Sequence, residues 1–128
     1  MKFLIVLFAF VIINTGCLRK PELKAEIGDK IIPTFYFFQK NFRGLDALRN
    51  LSFSTTDNGN FEKIWVISNS DYQPLPIRLT YGVAPDGFRE EVTAKKLELD
   101  KIYKISTIYG DYIFTWQFKI IKEDPSGK

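Results

Sequence analysis

Hydrophobic and polar residues alternate along most of the chain, with the period of two that is typical of strands lying between a core and solvent. The alternation is clearest over residues 112–121, where one face carries Tyr112, Phe114, Trp116, Phe118 and Ile120. Residues 61–68 are apolar on both faces at their centre, which is typical of a strand in the middle of a sheet. Shorter runs at 31–39, 51–55, 77–81, 88–93 and 102–109 complete about seven predicted strands.

Turn residues separate these runs. Asn58-Gly59 lies between 51–55 and 61–68 and predicts a hairpin, because both residues tolerate positive φ. Turns are also predicted at 85–87 and 110–111. Residues 69–71 are predicted to end the 61–68 strand. Within 41–50 we expect at most one helical turn. Residues 31–122 therefore predict an all-β domain, an antiparallel β-sandwich, with a small barrel as the alternative, followed by a polar tail at 123–128.

The amino-terminal segment has a different pattern. Lys2 precedes an unbroken apolar run from Phe3 to Ile13, which is the form of a secretory signal peptide. Eleven apolar residues fall short of the roughly 20 that a membrane-spanning helix needs. The alternative is a buried strand or helix of the fold, which an unbroken apolar run fits poorly.

The only cysteine directly follows this segment, in Asn14-Thr15-Gly16-Cys17. Small residues before a cysteine at this place resemble the lipobox of bacterial lipoproteins, although Asn14 stands where that family usually has Leu. The resemblance implies a signal peptide at 1–16, cleavage before Cys17, and acylation of its thiol and amino group. Leu18, where an Asp would imply retention in the inner membrane, implies the periplasmic face of the outer membrane. A buried thiol, or one awaiting an intermolecular partner, is the alternative.

Residues 17–30 comprise this cysteine and a charged stretch with no sustained period, which predicts a tether between lipid and domain. A short helix within 21–27 is the alternative.

Two further resemblances concern the domain. The segment 97–105, with Leu97 six residues before Tyr103, resembles the tyrosine corner of immunoglobulin-like and fibronectin-type-III domains. It implies an immunoglobulin-like sandwich with Trp65 as the buried tryptophan and a Tyr103 hydroxyl bonded to the corner backbone. The stretch 77–88, with 63–65, Leu97 and Tyr103, resembles uncharacterised small lipoproteins of Gram-negative bacteria, some of which are suspected immunity proteins of type VI secretion systems.

Composition narrows the chemistry. The chain has no histidine and one cysteine, which excludes histidine-dependent triads, His-ligated zinc and intramolecular disulfides. Glu90 and Glu91 are neighbours in a predicted strand and point to opposite faces, so they do not form a general acid–base pair. Lysine and arginine are interleaved with aspartate and glutamate along the chain, whose net charge is +3. This distribution argues against a nucleic-acid partner. We expect no catalytic residue, metal or cofactor; an enzyme using only Asp, Glu, Tyr, Lys or Ser is the disfavoured alternative.

Aromatic residues make up 16% of the chain, and most fall at core positions of the predicted strands. Tyr72, Phe88, Tyr109 and Tyr112 lie near predicted turns and form a candidate surface for a protein or glycan. The sequence thus predicts a lipid-anchored, non-catalytic binding or accessory module of the cell envelope, held to the membrane through Cys17 and contacting an envelope protein. The alternative is a periplasmic immunity protein that neutralises a secreted toxin.

Overall fold

The computed structural model describes residues 3–9, 22–28, 30–38, 47–57, 59–74, 77–109 and 112–122. Within these ranges the chain forms strands and turns and contains no helix, so no described helix could cross a membrane. The strands are β1 (Phe3–Ala9), β2 (Glu22–Glu26), β3 (Thr34–Phe38), β4 (Ala47–Asp57), β5 (Asn60–Pro74), β6 (Ile77–Thr80), β7 (Arg89–Val92), β8 (Ile102–Tyr109) and β9 (Tyr112–Lys122).

The strands form two antiparallel sheets. The larger has the order β1-β9-β8-β4-β5-β7, and the smaller has the order β2-β3-β6. The predicted all-β, antiparallel class is therefore confirmed, but the expected number of about seven strands is wrong, because the described chain has nine. The seven predicted strands correspond to β3 through β9, and the two additional ones come from the segments interpreted as signal peptide and tether.

Strand β1 lies at one edge of the larger sheet and pairs with β9 from Phe3↔Lys122 to Ala9↔Trp116. The side chains of Phe3, Ile5 and Leu7 pack partly buried against the core, whereas Leu4 is 45% exposed. The fold thus buries one face of this apolar run and leaves an apolar side chain, Leu4, on the other face exposed.

Strand β2 pairs with β3 over Glu22–Glu26. Leu23 and Ala25 pack against the core between charged neighbours. This period-two pattern is short, and the sequence analysis predicted no strand within the proposed tether at 17–30.

An aromatic core joins the two sheets in a sandwich-like arrangement. The Phe35 ring of β3 lies 5.3 Å from that of Phe118 in β9 and 5.5 Å from that of Phe53 in β4. Beside them, Phe37 meets Trp116 edge-on at 5.5 Å. These distances are within the range at which aromatic pairs attract each other beyond their burial of surface.

The predicted Asn-Gly hairpin is confirmed. Asp57 pairs with Asn60, and Gly59 has a φ of 80°, a conformation that favours glycine. Strand β4 begins at Ala47, so the predicted helical turn is wrong for residues 47–50, and the rest of that prediction lies outside the described residues. Strand β5 continues past the predicted end at 69–71 because it remains paired with β4 as far as Ala47↔Pro74.

Candidate functional site

Strand register places the four candidate aromatic residues at one end of the larger sheet. Tyr109 pairs with Tyr112 where β8 passes into β9, and the preceding Ile108 is opposite Asn50 near the start of β4. Tyr109 and Tyr112 therefore lie beside the first residues of β4. For Tyr109 and Tyr112 the structure describes these backbone positions.

The other two candidates reach the same end through β5. Tyr72 precedes Gln73, which is opposite Leu48 at the start of β4. Phe88 precedes Arg89, which is opposite Ser68 of β5. The four backbone positions thus occupy the end of the sheet that lies away from the Asn58-Gly59 hairpin; we call it the aromatic end.

The side chain of Phe88 has a structural function in addition to its place at this end. It is partly buried and packs against the core. It follows a turn in which its backbone N–H donates to Pro85 O at 3.0 Å, with Gly87 at a φ of 87°.

Cys17, the candidate lipidation residue, lies outside the described residues.

The carboxylates of Glu90 and Glu91, near the aromatic end, serve different partners. Glu90 accepts a 2.8 Å hydrogen bond from Trp65 Nε1, whose side chain is fully buried. Glu91 accepts hydrogen bonds from Ser68 and Arg89, which hold the pKa of its carboxyl below the ordinary value. The two carboxylates therefore have separate hydrogen-bond partners: Glu90 bonds Trp65, and Glu91 bonds Ser68 and Arg89.

Two buried phenols lie in the core rather than on a surface. Tyr103 Oη accepts the backbone N–H of Glu98 at 2.8 Å, and Tyr81 Oη donates to Lys95 O at 2.5 Å. Burial is the main cause that raises the pKa of both hydroxyls above the ordinary value for tyrosine. Both phenols are therefore neutral hydrogen-bonding groups at neutral pH.

The outer edge of β9 is a feature that the sequence analysis missed. Ile120 O accepts from Asp100 N, on the β8 side. Backbone groups alternate in direction along an antiparallel strand, so those of Gln117, Lys119 and Ile121 point to the opposite edge, where β1 pairs. The clean alternation of 112–121 was the sequence signal for a long strand, but it did not identify the neighbour.

The described residues contain no group of three or more His, Cys, Asp or Glu side chains that could hold a metal ion. The chain was also compared with protein-family models, curated proteins and solved structures, and none matches it. The described geometry brings the four aromatic positions to one end of the larger sheet and places β1 along the outer edge of β9.

Proposed function

We propose that this chain is a bacterial lipoprotein, anchored through an acylated Cys17 to the periplasmic face of the outer membrane, that acts as a non-catalytic binding module. The observation that carries the binding role is the common placement of Tyr72, Phe88, Tyr109 and Tyr112 at the aromatic end. Tyrosine is frequent among the residues that dominate binding energy at protein interfaces, which favours a protein ligand for this end.

The proposed cleavage before Cys17 is compatible with the core. All buried hydrophobic side chains among the described residues lie between Phe35 and Ile120. Strand β1 is at a sheet edge, and β9 pairs with β8 along its other side. Removal of residues 1–16 would therefore leave the pairing of the other eight strands in place.

The proposed domain type is immunoglobulin-like. Its support is the hydrogen bond between the Glu98 backbone and Tyr103 Oη, the burial of Leu97 beside it, and the full burial of Trp65. These are the contacts that the resemblance to a tyrosine corner implies.

The binding role is tested by crosslinking in intact envelopes, followed by affinity capture and mass identification of bound proteins. We expect one stoichiometric envelope partner for the native chain and strongly reduced capture for Tyr109→Ala/Tyr112→Ala. Phe61→Ala is the matched control, since Phe61 is 61% exposed at the opposite, hairpin end. Equal capture by both variants would contradict the assigned surface, and capture of a secreted toxin would establish the immunity alternative.

The anchor has its own test. Cys17→Ser, expressed from the full gene, should leave the membrane fraction, while Asn14→Ala should remain there. A Cys17→Ser chain that fractionates with membranes as fully as the native chain would refute lipid anchoring.

A further inference from the structure

The edge of β9 takes an extended apolar strand in this structure. From Phe3↔Lys122 to Ala9↔Trp116, β1 runs antiparallel to β9 without a register shift. Ile5 is opposite Ile120 and Leu7 is opposite Phe118, and both β1 side chains pack partly buried against the core. The occupant thus contributes backbone hydrogen bonds to an edge and apolar side chains to a core.

This position lies where the open edges of the two sheets meet. Strand β1 pairs with β9 of the larger sheet and also contacts β2 of the smaller one. Leu23 of β2 packs against the same core as Leu7. We call this position, between β9 and β2, the edge slot.

Loss of β1 would open the edge slot. The backbone groups of Gln117, Lys119 and Ile121 would lose their strand partner, and Phe118 and Ile120 would lose the apolar side chains beside them. An unpaired edge next to uncovered apolar surface is a template for another strand. The partner's main chain would then give affinity, and its alternate side chains would give specificity.

We infer that, in the processed protein, the edge slot is an acceptor site for an extended segment of another polypeptide, which runs antiparallel to β9 with large apolar side chains at every second position. This inference rests on the proposed removal of residues 1–16. The chemistry of the occupant follows from β1 itself, whose inward positions hold Phe3, Ile5 and Leu7.

A second copy of β9 meets these requirements less well. Its inward side chains, including Trp116 at 4% and Phe118 at 0% exposure, are already buried in its own core and cannot fill the slot of a neighbour. Pairing two copies would also bring the lysines of two β9 strands to one interface, whereas Phe3–Ala9 carries no charge. A partner strand with an acidic residue opposite Lys119, where β1 has Val6, would gain a cross-strand ion pair.

The test uses lipidated protein purified from membranes and a synthetic peptide of residues 3–9 flanked by lysines. The peptide carries Leu4→Cys and the protein Ile121→Cys, since these positions are directly opposite. Opposed Cα atoms in an antiparallel pair lie about 4.5 to 5.5 Å apart, within the span of a disulfide. Gln117→Cys, which is opposite Phe8, is the off-register control on the same strand.

Two further peptides distinguish specific binding in the edge slot from nonspecific binding. Leu7→Asp places a carboxylate against the core, whereas Val6→Asp places the same charge opposite Lys119. We expect disulfide formation at Ile121→Cys but not at Gln117→Cys, a loss of about tenfold or more for Leu7→Asp, and no loss for Val6→Asp.

The outcomes distinguish this inference from the proposed function, because the amino-terminal mass of each preparation is measured first. If the protein starts at Cys17 and the peptide does not react, the acceptor site is refuted and the lipoprotein proposal stands. Ile121→Cys homodimers in place of peptide adducts would refute it in favour of a second copy. If residues 1–16 are retained, the proposed processing fails and the slot is occupied by the chain's own β1.

Discussion

The hydrogen bond between the Tyr103 hydroxyl and the Glu98 backbone can be tested by removing the hydroxyl. Tyr103 is 2% exposed, its ring stacks on Phe118 at 5.3 Å, and its hydroxyl accepts the Glu98 backbone N–H at 2.8 Å. Tyr103→Phe keeps the ring and its packing but deletes the acceptor. The variant therefore isolates one hydrogen bond.

The expected loss follows from the position of that bond. A typical intramolecular hydrogen bond contributes about 0.5 to 1.5 kcal/mol to stability, and an orphaned buried donor costs more. Glu98 itself is exposed, so water can reach part of the corner. We expect Tyr103→Phe to lower the free energy of unfolding by about 1 kcal/mol, which corresponds to about 0.5 M in the urea midpoint at a typical slope.

Urea unfolding at neutral pH, followed by tryptophan fluorescence, measures this loss, because Trp65 and Trp116 are buried. Tyr36→Phe is the matched control, since its hydroxyl bonds Glu26 and Arg78 at the surface. The control should cost well under 0.5 kcal/mol, as exposed polar contacts do. Equal stability of Tyr103→Phe and the native chain would refute the structural importance of the corner.

Three other changes have defined outcomes. Glu90→Ala leaves the buried Trp65 N–H without its 2.8 Å acceptor and should cost about 1 to 3 kcal/mol by urea unfolding, whereas Glu90→Gln keeps an acceptor and should cost less; equal costs would contradict this. Burial raises the pKa of Tyr81, so the unfolded chain loses this proton first: stability should hold below about pH 10 and fall above it. Tyr81→Phe should weaken the alkaline fall, and an unchanged pH profile would count against it. Phe53→Ala, in ring contact with Trp65, should cost about 3 to 5 kcal/mol by thermal unfolding, against little for the exposed Phe61→Ala; similar values would be inconsistent with the core described.

Period-two alternation and turn dipeptides predicted much of the fold, because each depends on only a few neighbouring residues. Alternation in β9 identified its buried face, with Phe114 and Trp116 each at most 5% exposed. Asn58-Gly59 predicted the hairpin in which Asp57 pairs with Asn60, because Asn-Gly is a dipeptide that favours two-residue hairpin turns. The resemblance of 97–105 to a tyrosine corner implied a hydrogen bond between the Tyr103 hydroxyl and nearby backbone, and the Glu98 N–H makes such a bond.

Long-range pairing was harder to predict. Nothing in Phe3–Ala9 indicates β9 as a neighbour, because an apolar run suits a signal peptide, a core strand and a sheet edge alike. Strand β2 is only five residues long, too short for its alternation to stand out among charged neighbours.

The candidate surface could be predicted only as a set of residues near turns. That Tyr72 lies at the same end as Tyr109 depends on β4, whose first residues pair with the end of β5 and lie beside the end of β8. The sequence does not specify such register across three strands, because it follows from the packing of the whole sheet.

The amino-terminal mass of the protein extracted from its native membranes tests the central proposal most directly. The account predicts a chain that begins at Cys17 and carries the added mass of a diacylglyceryl group and an amide-linked acyl chain, with no free thiol. A chain that retains Phe3–Ala9 and an unmodified Cys17 thiol would contradict it, and β1 would then be a permanent strand of the fold.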